Sequence, residues 1–80
     1  MAIGITARKI WVRGIVQGVG FRPTVYVYAI QSHLTGWVRN TSSGVEILIQ
    51  GLPENVDRFI NKLQHEPPTL ARIDSFEVGD

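Results

Sequence analysis

The sequence predicts an α+β fold, a ferredoxin-like β-α-β-β-α-β sandwich with one antiparallel sheet and two helices on one face of it. Three observations predict this fold. Four short segments have the composition or apolar alternation of β-strands, two longer segments repeat apolar residues at helical spacing, and the six follow one another in that order. With 80 residues, the chain has room for one domain only.

The first half of the chain contains the first strand and the first helix. Residues 8–13, RKIWVR, alternate apolar with basic or aromatic side chains, which predicts a strand with one buried face. Residues 23–33 repeat apolar side chains every four positions, and Pro23 suits the first turn of a helix. We therefore predict a helix over 23–33, with Tyr26 and Tyr28 in the core or at the helix boundary.

A hairpin and the second helix follow. Residues 36–40 and 45–50 read as two short strands, and the Ser- and Gly-rich residues 41–44 between them predict a turn. Residues 53–65 are the clearest helix, because they begin at a proline, carry acidic residues in the first turn and show an apolar stripe. Pro67 and Pro68 end this helix.

The last predicted strand covers residues 70–78. Its apolar side chains change parity midway, which predicts a β-bulge near Asp74 and Ser75. The chain stops at Gly79 and Asp80, directly after this strand, so we expect residues 1–80 to be one domain from a longer protein.

Composition excludes several classes of function. The chain has eight basic and seven acidic residues and no run of like charge, which argues against a nucleic-acid surface, because such surfaces usually show a basic stripe. Cysteine is absent, which excludes disulfides, zinc–thiolate sites and thiol catalysis. No apolar run has the length of a membrane span, and the N-terminus lacks the layout of a signal peptide. We expect a cytoplasmic protein, and a monomer, because the outer faces of the predicted helices look polar.

The stretch GIVQGVGFRP, residues 14–23, has the parts of a phosphate cradle. Glycines allow consecutive backbone N–H groups to turn inward, the following helix adds its positive end, and Arg22 adds a planar fork of donors. The stretch is not a Walker A loop, because no lysine follows Gly18 or Gly20. It is not a dinucleotide fingerprint either, because Pro23 stands where the third glycine belongs.

The same stretch resembles the first signature of the acylphosphatase family, G-x-V-Q-G-V-x-F-R. GWVRN at 36–40, followed by TSSGVEI at 41–47, resembles the second signature, with Gly44, Val45 and Glu46 shifted by one place. GVGFRP and PPTLARIDSFEV are similar to the N-terminal acylphosphatase-like domain of HypF, a multidomain carbamoyltransferase that matures nickel–iron hydrogenases. The resemblance covers nearly the whole chain, and it implies the fold already predicted from the pattern.

The resemblance also implies roles for individual residues. Asn40 would orient the attacking water, and Arg22 would bind the substrate phosphate. Backbone amides would share the phosphate, and by match they belong to Gln17, Gly18, Val19, Gly20 and Phe21. The reaction would be hydrolysis of a carboxyl–phosphate anhydride, with carbamoyl phosphate as the expected substrate and the other domains of the parent carbamoyltransferase as the expected partners. No metal or other cofactor is implied.

No protein general base stands out in the sequence. Glu46 and Asp74 are expected to be solvated strand residues, and His33 and His65 are expected at helix ends. We therefore expect the substrate phosphate itself to accept the proton of the water, with catalysis resting on positioning and charge stabilisation.

Three other interpretations are considered. The chain could be a stand-alone acylphosphatase, or a domain that binds carbamoyl phosphate without fast hydrolysis, because Arg22 and the loop would serve both purposes. An RNA-recognition domain shares the element order, but residues 44–51, GVEILIQG, lack the aromatic side chains that would stack on bases.

Overall fold

The computed structural model describes residues 4–80 and has the predicted order of elements. Within these residues, no helix has both the length and the apolar character needed to cross a membrane. The elements are β1 (Thr6–Ile15), α1 (Phe21–Gln31), β2 (Thr35–Thr41), β3 (Gly44–Gly51), α2 (Pro53–His65) and β4 (Arg72–Gly79).

The four strands form one sheet in the order β2-β3-β1-β4, and all neighbouring strands are antiparallel. Alternate residues of the two central strands point towards the helices, so one face of the sheet is buried and the other is open. The core lies between the sheet and the helices, and its members are Ile10, Val12, Val16, Phe21, Val25, Leu34, Val45, Ile47, Ile49, Val56, Phe59 and Leu63.

Helix α1 begins two residues earlier than predicted. Gly20 is its N-cap and Phe21 its first helical residue, so Pro23 takes the third position, where its missing N–H still costs no intrahelical bond. Phe21 and Val25 are the buried residues of the helix. Placing Tyr26 in the core or at the boundary is wrong, because it lies mid-helix and turned away from the Val25 side, with 66% of its surface exposed.

The outer face of α1 is also less polar than expected. Tyr26, Val27 and Ile30 are all exposed there. A monomer was expected because the outer faces of both helices looked polar, and this reason does not hold for α1. Helix α2 covers the predicted residues and buries Val56, Phe59 and Leu63. The Tyr28 Oη of α1 donates to the carbonyl oxygen of Glu66 at 2.7 Å, and Glu66 is the C-cap of α2, so this bond links the two helices.

The predicted bulge in β4 is confirmed. Arg13 pairs with Ser75 while the next residue of β1, Gly14, pairs with Ile73, so Asp74 has no partner on β1. Gly14 has φ 134°, and a Cβ atom at this position would lie 2.1 Å from the carbonyl oxygen of Arg72. Only glycine allows β1 and β4 to approach this closely at the point where β1 leads into the glycine-rich loop.

Candidate active site

The loop between β1 and α1 has the backbone of an anion-binding nest. Gly18 and Gly20 have φ 75° and 80°, with Val19 between them, an alternation that turns successive N–H groups to one side. Within residues 4–80, no backbone or side-chain oxygen accepts a hydrogen bond from the amides of residues 17–22. The last two of these amides open an 11-residue helix, whose positive end adds to the nest.

Arg22 lies at the start of this helix with an exposed side chain. Within residues 4–80 its guanidinium has no hydrogen-bond or ion-pair partner, whereas each of the other seven basic side chains has one. Those pairs are Arg8–Asp80, Lys9–Glu46, Arg13–Glu77, Arg39–Glu46, Arg58–Asn55, Lys62–Gln31 and Arg72–Asp74.

The charge distribution along the chain leaves Arg22 without an acidic neighbour on its own loop or helix. All seven acidic residues lie at position 46 or later, so neither the loop nor α1 offers a carboxylate. This asymmetry is visible in the sequence, although no run of like charge marks it. A guanidinium without a competing carboxylate remains available to an anionic ligand.

Asn40 is the next-to-last residue of β2 and is exposed. It pairs with Val45 of β3, whose side chain is buried in the core. Directly paired residues of an antiparallel sheet share a face, so the Asn40 side chain leaves the sheet on the helix side. That is also the side on which α1 packs.

Gln17 joins the glycine-rich loop to the hairpin that carries Asn40. Its Nε2 donates to the carbonyl oxygen of Thr41 at 2.7 Å and to the carbonyl oxygen of Gly44 at 2.8 Å. Thr41 and Gly44 are the paired residues that flank the β2–β3 turn, and Thr41 directly follows Asn40. The two segments with predicted site residues are therefore held against each other by one side chain.

A shallow polar hollow of about 280 Å³ lies beside this contact. It is lined by Gly14, Gln17, Ser42, Ser43 and Gly44. A second hollow of about 290 Å³, between α1 and β2, is lined mostly by apolar side chains and lies away from the loop. The polar hollow is the one that the glycine-rich loop borders, and the sequence analysis did not single out its two serines.

Two other predicted site residues can offer a ligand only their backbone. The Phe21 side chain is 1% exposed and belongs to the core, which leaves its N–H as the group available to the loop. Val19 packs against the core as well. Within residues 4–80, no three His, Cys, Asp or Glu side chains converge into a group that could hold a metal ion.

Glu46 lies on the opposite face of the sheet, and the expectation that it is solvated is wrong. This residue is not solvated but 8% exposed. Hydrogen bonds from Arg39 hold the pKa of the Glu46 carboxyl below its ordinary value of 4.5 against the opposing effect of burial, and Lys9 lowers it further. Asp74 is exposed as expected, and its carboxylate pairs with Arg72 at 3.0 Å.

These observations define a class: a small ferredoxin-like domain with a nest-forming glycine loop between its first strand and first helix, and an arginine in the first turn of that helix that has no partner within residues 4–80. The acylphosphatase family model matches residues 8–80, and the chain belongs to that family. It is therefore an acylphosphatase-type hydrolase domain.

The relatives are of two kinds. The chain is 50% identical over 72 residues to the probable carbamoyltransferase HypF of Methanocaldococcus jannaschii, covering 90% of this chain and 9% of that protein. It is 44% identical over 77 residues to the acylphosphatase of Alcanivorax borkumensis, covering 95% of this chain and 83% of that protein. The chain thus spans about a tenth of the HypF relatives and most of the acylphosphatases.

Solved structures agree with both kinds of relative. Full-length HypF in a phosphate- and nucleotide-bound form superposes with a TM-score of 0.93 at 43% identity, covering 95% of this chain and 10% of that one. The acylphosphatase of Bacillus subtilis superposes with a TM-score of 0.85 at 34% identity, covering 95% of this chain and 83% of that one.

Proposed function

We propose that this domain hydrolyses carbamoyl phosphate to carbamate and phosphate, as the acylphosphatase domain of a HypF-type carbamoyltransferase. Arg22 and the amides of residues 17–22 bind the phosphate group, and Asn40 orients the attacking water. The observation that carries this proposal is that, within residues 4–80, neither the guanidinium of Arg22 nor the backbone amides just before it have a hydrogen-bond partner.

A phosphate group fits this arrangement because of its charge and geometry. It carries three oxygens that each accept several hydrogen bonds, and inward-turned N–H groups together with a planar guanidinium supply donors from two directions. The same donors stabilise the charge that shifts onto the phosphoryl oxygens during transfer, since they are already in place before the reaction.

The chemical step needs one water and no further reagent. The water oxygen attacks phosphorus, the bond between phosphorus and the carboxyl oxygen breaks, and the carbamate leaves with the electron pair of that bond. The water proton passes to a phosphate oxygen, which makes a protein base unnecessary. Asn40 has an amide that can both donate and accept, so it can hold the water in line with the breaking bond.

The identity of the acyl group rests on the relatives. The probable carbamoyltransferase HypF of M. jannaschii matches this chain more closely in sequence than the A. borkumensis acylphosphatase does, at 50% against 44% identity. A carbamoyl group is small and planar with an amide end. Ser42 and Ser43 line the hollow beside the loop, and serine hydroxyl groups can donate to and accept from such an amide.

The test is the release of inorganic phosphate from carbamoyl phosphate and from acetyl phosphate. Wild type should release phosphate from both, with the higher kcat/KM for carbamoyl phosphate. Asn40→Ala should lose kcat on the order of 100-fold while still binding inorganic phosphate by calorimetry. Asn61→Ala, an exposed asparagine on α2, is the matched control and should behave as wild type.

Two results would change the proposal. Equal kcat/KM for the two substrates would leave an acylphosphatase without preference for the carbamoyl group. Phosphate binding without any release from wild type would mean a domain that binds the acyl phosphate without hydrolysing it.

A further inference from the structure

We infer that the side chain of Gln17 is a positioning residue that sets Asn40 relative to the phosphate loop. This inference rests on the proposed function, because it assigns a task to Gln17 within the same reaction. The resemblance to the acylphosphatase signature implies a role in phosphate binding for the backbone amide of Gln17 only. Its side chain points elsewhere, to the β2–β3 hairpin.

The side-chain amide of glutamine has two N–H groups. Both are used on the hairpin, at 2.7 Å to the Thr41 carbonyl and 2.8 Å to the Gly44 carbonyl. These carbonyls stand on the two sides of the turn, so the pair of bonds fixes the position of the turn as well as its distance from the loop. No N–H of the side chain remains to bind a substrate phosphate.

The two ends of this contact lie next to residues with proposed catalytic and binding roles. Asn40 is covalently joined to Thr41, and Gln17 is covalently joined to Gly18 of the nest. Asn40 lies 20 positions beyond Gly20, the last glycine of the nest, and the Gln17 side chain spans from the loop to the hairpin. Reactions that depend on alignment are sensitive to shifts of about 1 Å.

Removal of the Gln17 side-chain amide should affect phosphate binding and turnover differently. The nest and Arg22 belong to the loop and α1, so they remain in place when the Gln17 side chain changes. Asn40 belongs to the hairpin, which loses its tie to the loop. Removing the side-chain amide should therefore lower kcat much more than phosphate affinity.

The experiment compares Gln17→Leu and Gln17→Glu with wild type. Leucine removes both donors at similar size, and an ionised glutamate keeps the shape but only accepts hydrogen bonds. In both variants kcat for carbamoyl phosphate should fall on the order of 10- to 100-fold. In Gln17→Leu, the Kd for inorganic phosphate should stay within about threefold of wild type. In Gln17→Glu the Kd should rise as well, because the new carboxylate repels the phosphate, so only the leucine variant is used to compare kcat with affinity. Gln64→Leu, an exposed glutamine on α2, is the matched control.

A double-mutant cycle separates positioning of Asn40 from general loosening. If Gln17 acts through Asn40, Gln17→Leu should reduce kcat in the wild-type background but have little further effect in Asn40→Ala. Circular dichroism melting shows whether each variant is folded, and Gln17→Glu serves if the leucine variant is not.

Four outcomes overturn the inference and are distinct from one another. Unchanged kcat in both Gln17 variants would show that the contact has no catalytic role, while the proposed function stands. Additive losses in the cycle would mean that Gln17 acts independently of Asn40. An equal loss of phosphate affinity in Gln17→Leu would make Gln17 a binding residue. Absence of phosphate release from wild type would remove the proposed function and this inference together.

Discussion

The guanidinium of Arg39 lies between the carboxylate of Glu46 and the indole ring of Trp37. Its Nε and Nη2 both donate to Oε1 of Glu46, at 2.8 and 2.6 Å, and its Cζ is 4.8 Å from the Trp37 ring centroid. Glu46 is 8% exposed although it lies on the sheet face that the helices do not cover. Flat arginine and tryptophan side chains shield it, and the ion pair ties edge strand β2 to β3.

This pair makes stability depend on pH. The pKa of Glu46 lies below its ordinary value of 4.5 in the folded state, mainly because Arg39 donates to the ionised form. The pair therefore contributes its full stabilisation above about pH 4.5, and this contribution is lost as the pH falls through the lower folded pKa. Urea denaturation followed by circular dichroism, repeated from about pH 7 to about pH 3, should show the loss.

Two variants test whether Glu46 causes this dependence. Glu46→Gln should be less stable than wild type at neutral pH, and the difference should shrink in acid. Arg39→Leu removes the main cause of the lowered pKa and should behave similarly, whereas Arg58→Leu on α2 should not. If Glu46→Gln kept the full acid dependence of wild type, another carboxyl group would be responsible.

His33 offers a stabilising substitution. It follows the C-cap of α1 with φ 56°, and the bonds Leu34 N–H to Ala29 O at 2.9 Å and His33 N–H to Ile30 O at 3.1 Å complete a Schellman motif. The left-handed conformation costs a non-glycine residue about 1–2 kcal/mol, while glycine loses about 0.5–1 kcal/mol more chain entropy on folding. His33→Gly should therefore raise the free energy of unfolding by about 0.5–1 kcal/mol.

Thermal denaturation checks this substitution, since such a gain raises the Tm of a domain this size by a few degrees. The neighbouring variant Ser32→Gly is the control. Ser32 has φ −97°, an ordinary conformation, so glycine there relieves no strain. The entropy cost and the loss of a buried side chain should both lower Tm. A lower Tm for His33→Gly would show that the entropy cost of glycine exceeds the relief of the left-handed strain.

Gly14 is the position where a single methyl group should be most harmful. The Cβ of an alanine would lie 2.1 Å from the Arg72 carbonyl oxygen and 2.9 Å from the Asp74 amide nitrogen, both on the backbone of β4. Because neither strand can yield without breaking the bulged pairing, Gly14→Ala should cost about 2–4 kcal/mol in urea denaturation. Gly4→Ala, with nothing within 4 Å of the added atom, should cost almost nothing. Equal stability of the two variants would refute the close-approach explanation.

Local sequence signals were enough to predict the order of elements and the second helix. Pro53 and the pair Pro67–Pro68 mark the ends of α2 unambiguously, and the predicted and observed bounds coincide. The start of α1 was misplaced because proline is accepted anywhere in the first turn, so Pro23 alone does not say which of those positions it occupies.

What the sequence did not reveal depends on contacts between distant segments. The Gln17 side chain reaches a hairpin 24 residues away, and no local pattern encodes that contact. Glu46 alternates correctly with its apolar neighbours in β3, and alternation predicts a solvated side chain. Its burial arises from side chains of the neighbouring strands β1 and β2, which only the pairing brings beside it.

Phosphate release by Arg22→Ala is the first measurement to make, because we propose that the glycine-rich loop and Arg22 at the start of α1 form the active site. Wild type, Arg22→Ala, Arg22→Lys and the exposed control Arg58→Ala are compared on carbamoyl phosphate, with melting curves to confirm folding. Arg22→Ala should lose on the order of 100- to 1,000-fold in kcat/KM, Arg22→Lys should retain part of the activity, and Arg58→Ala should match wild type. A folded Arg22→Ala variant that releases phosphate at the wild-type rate would contradict the account.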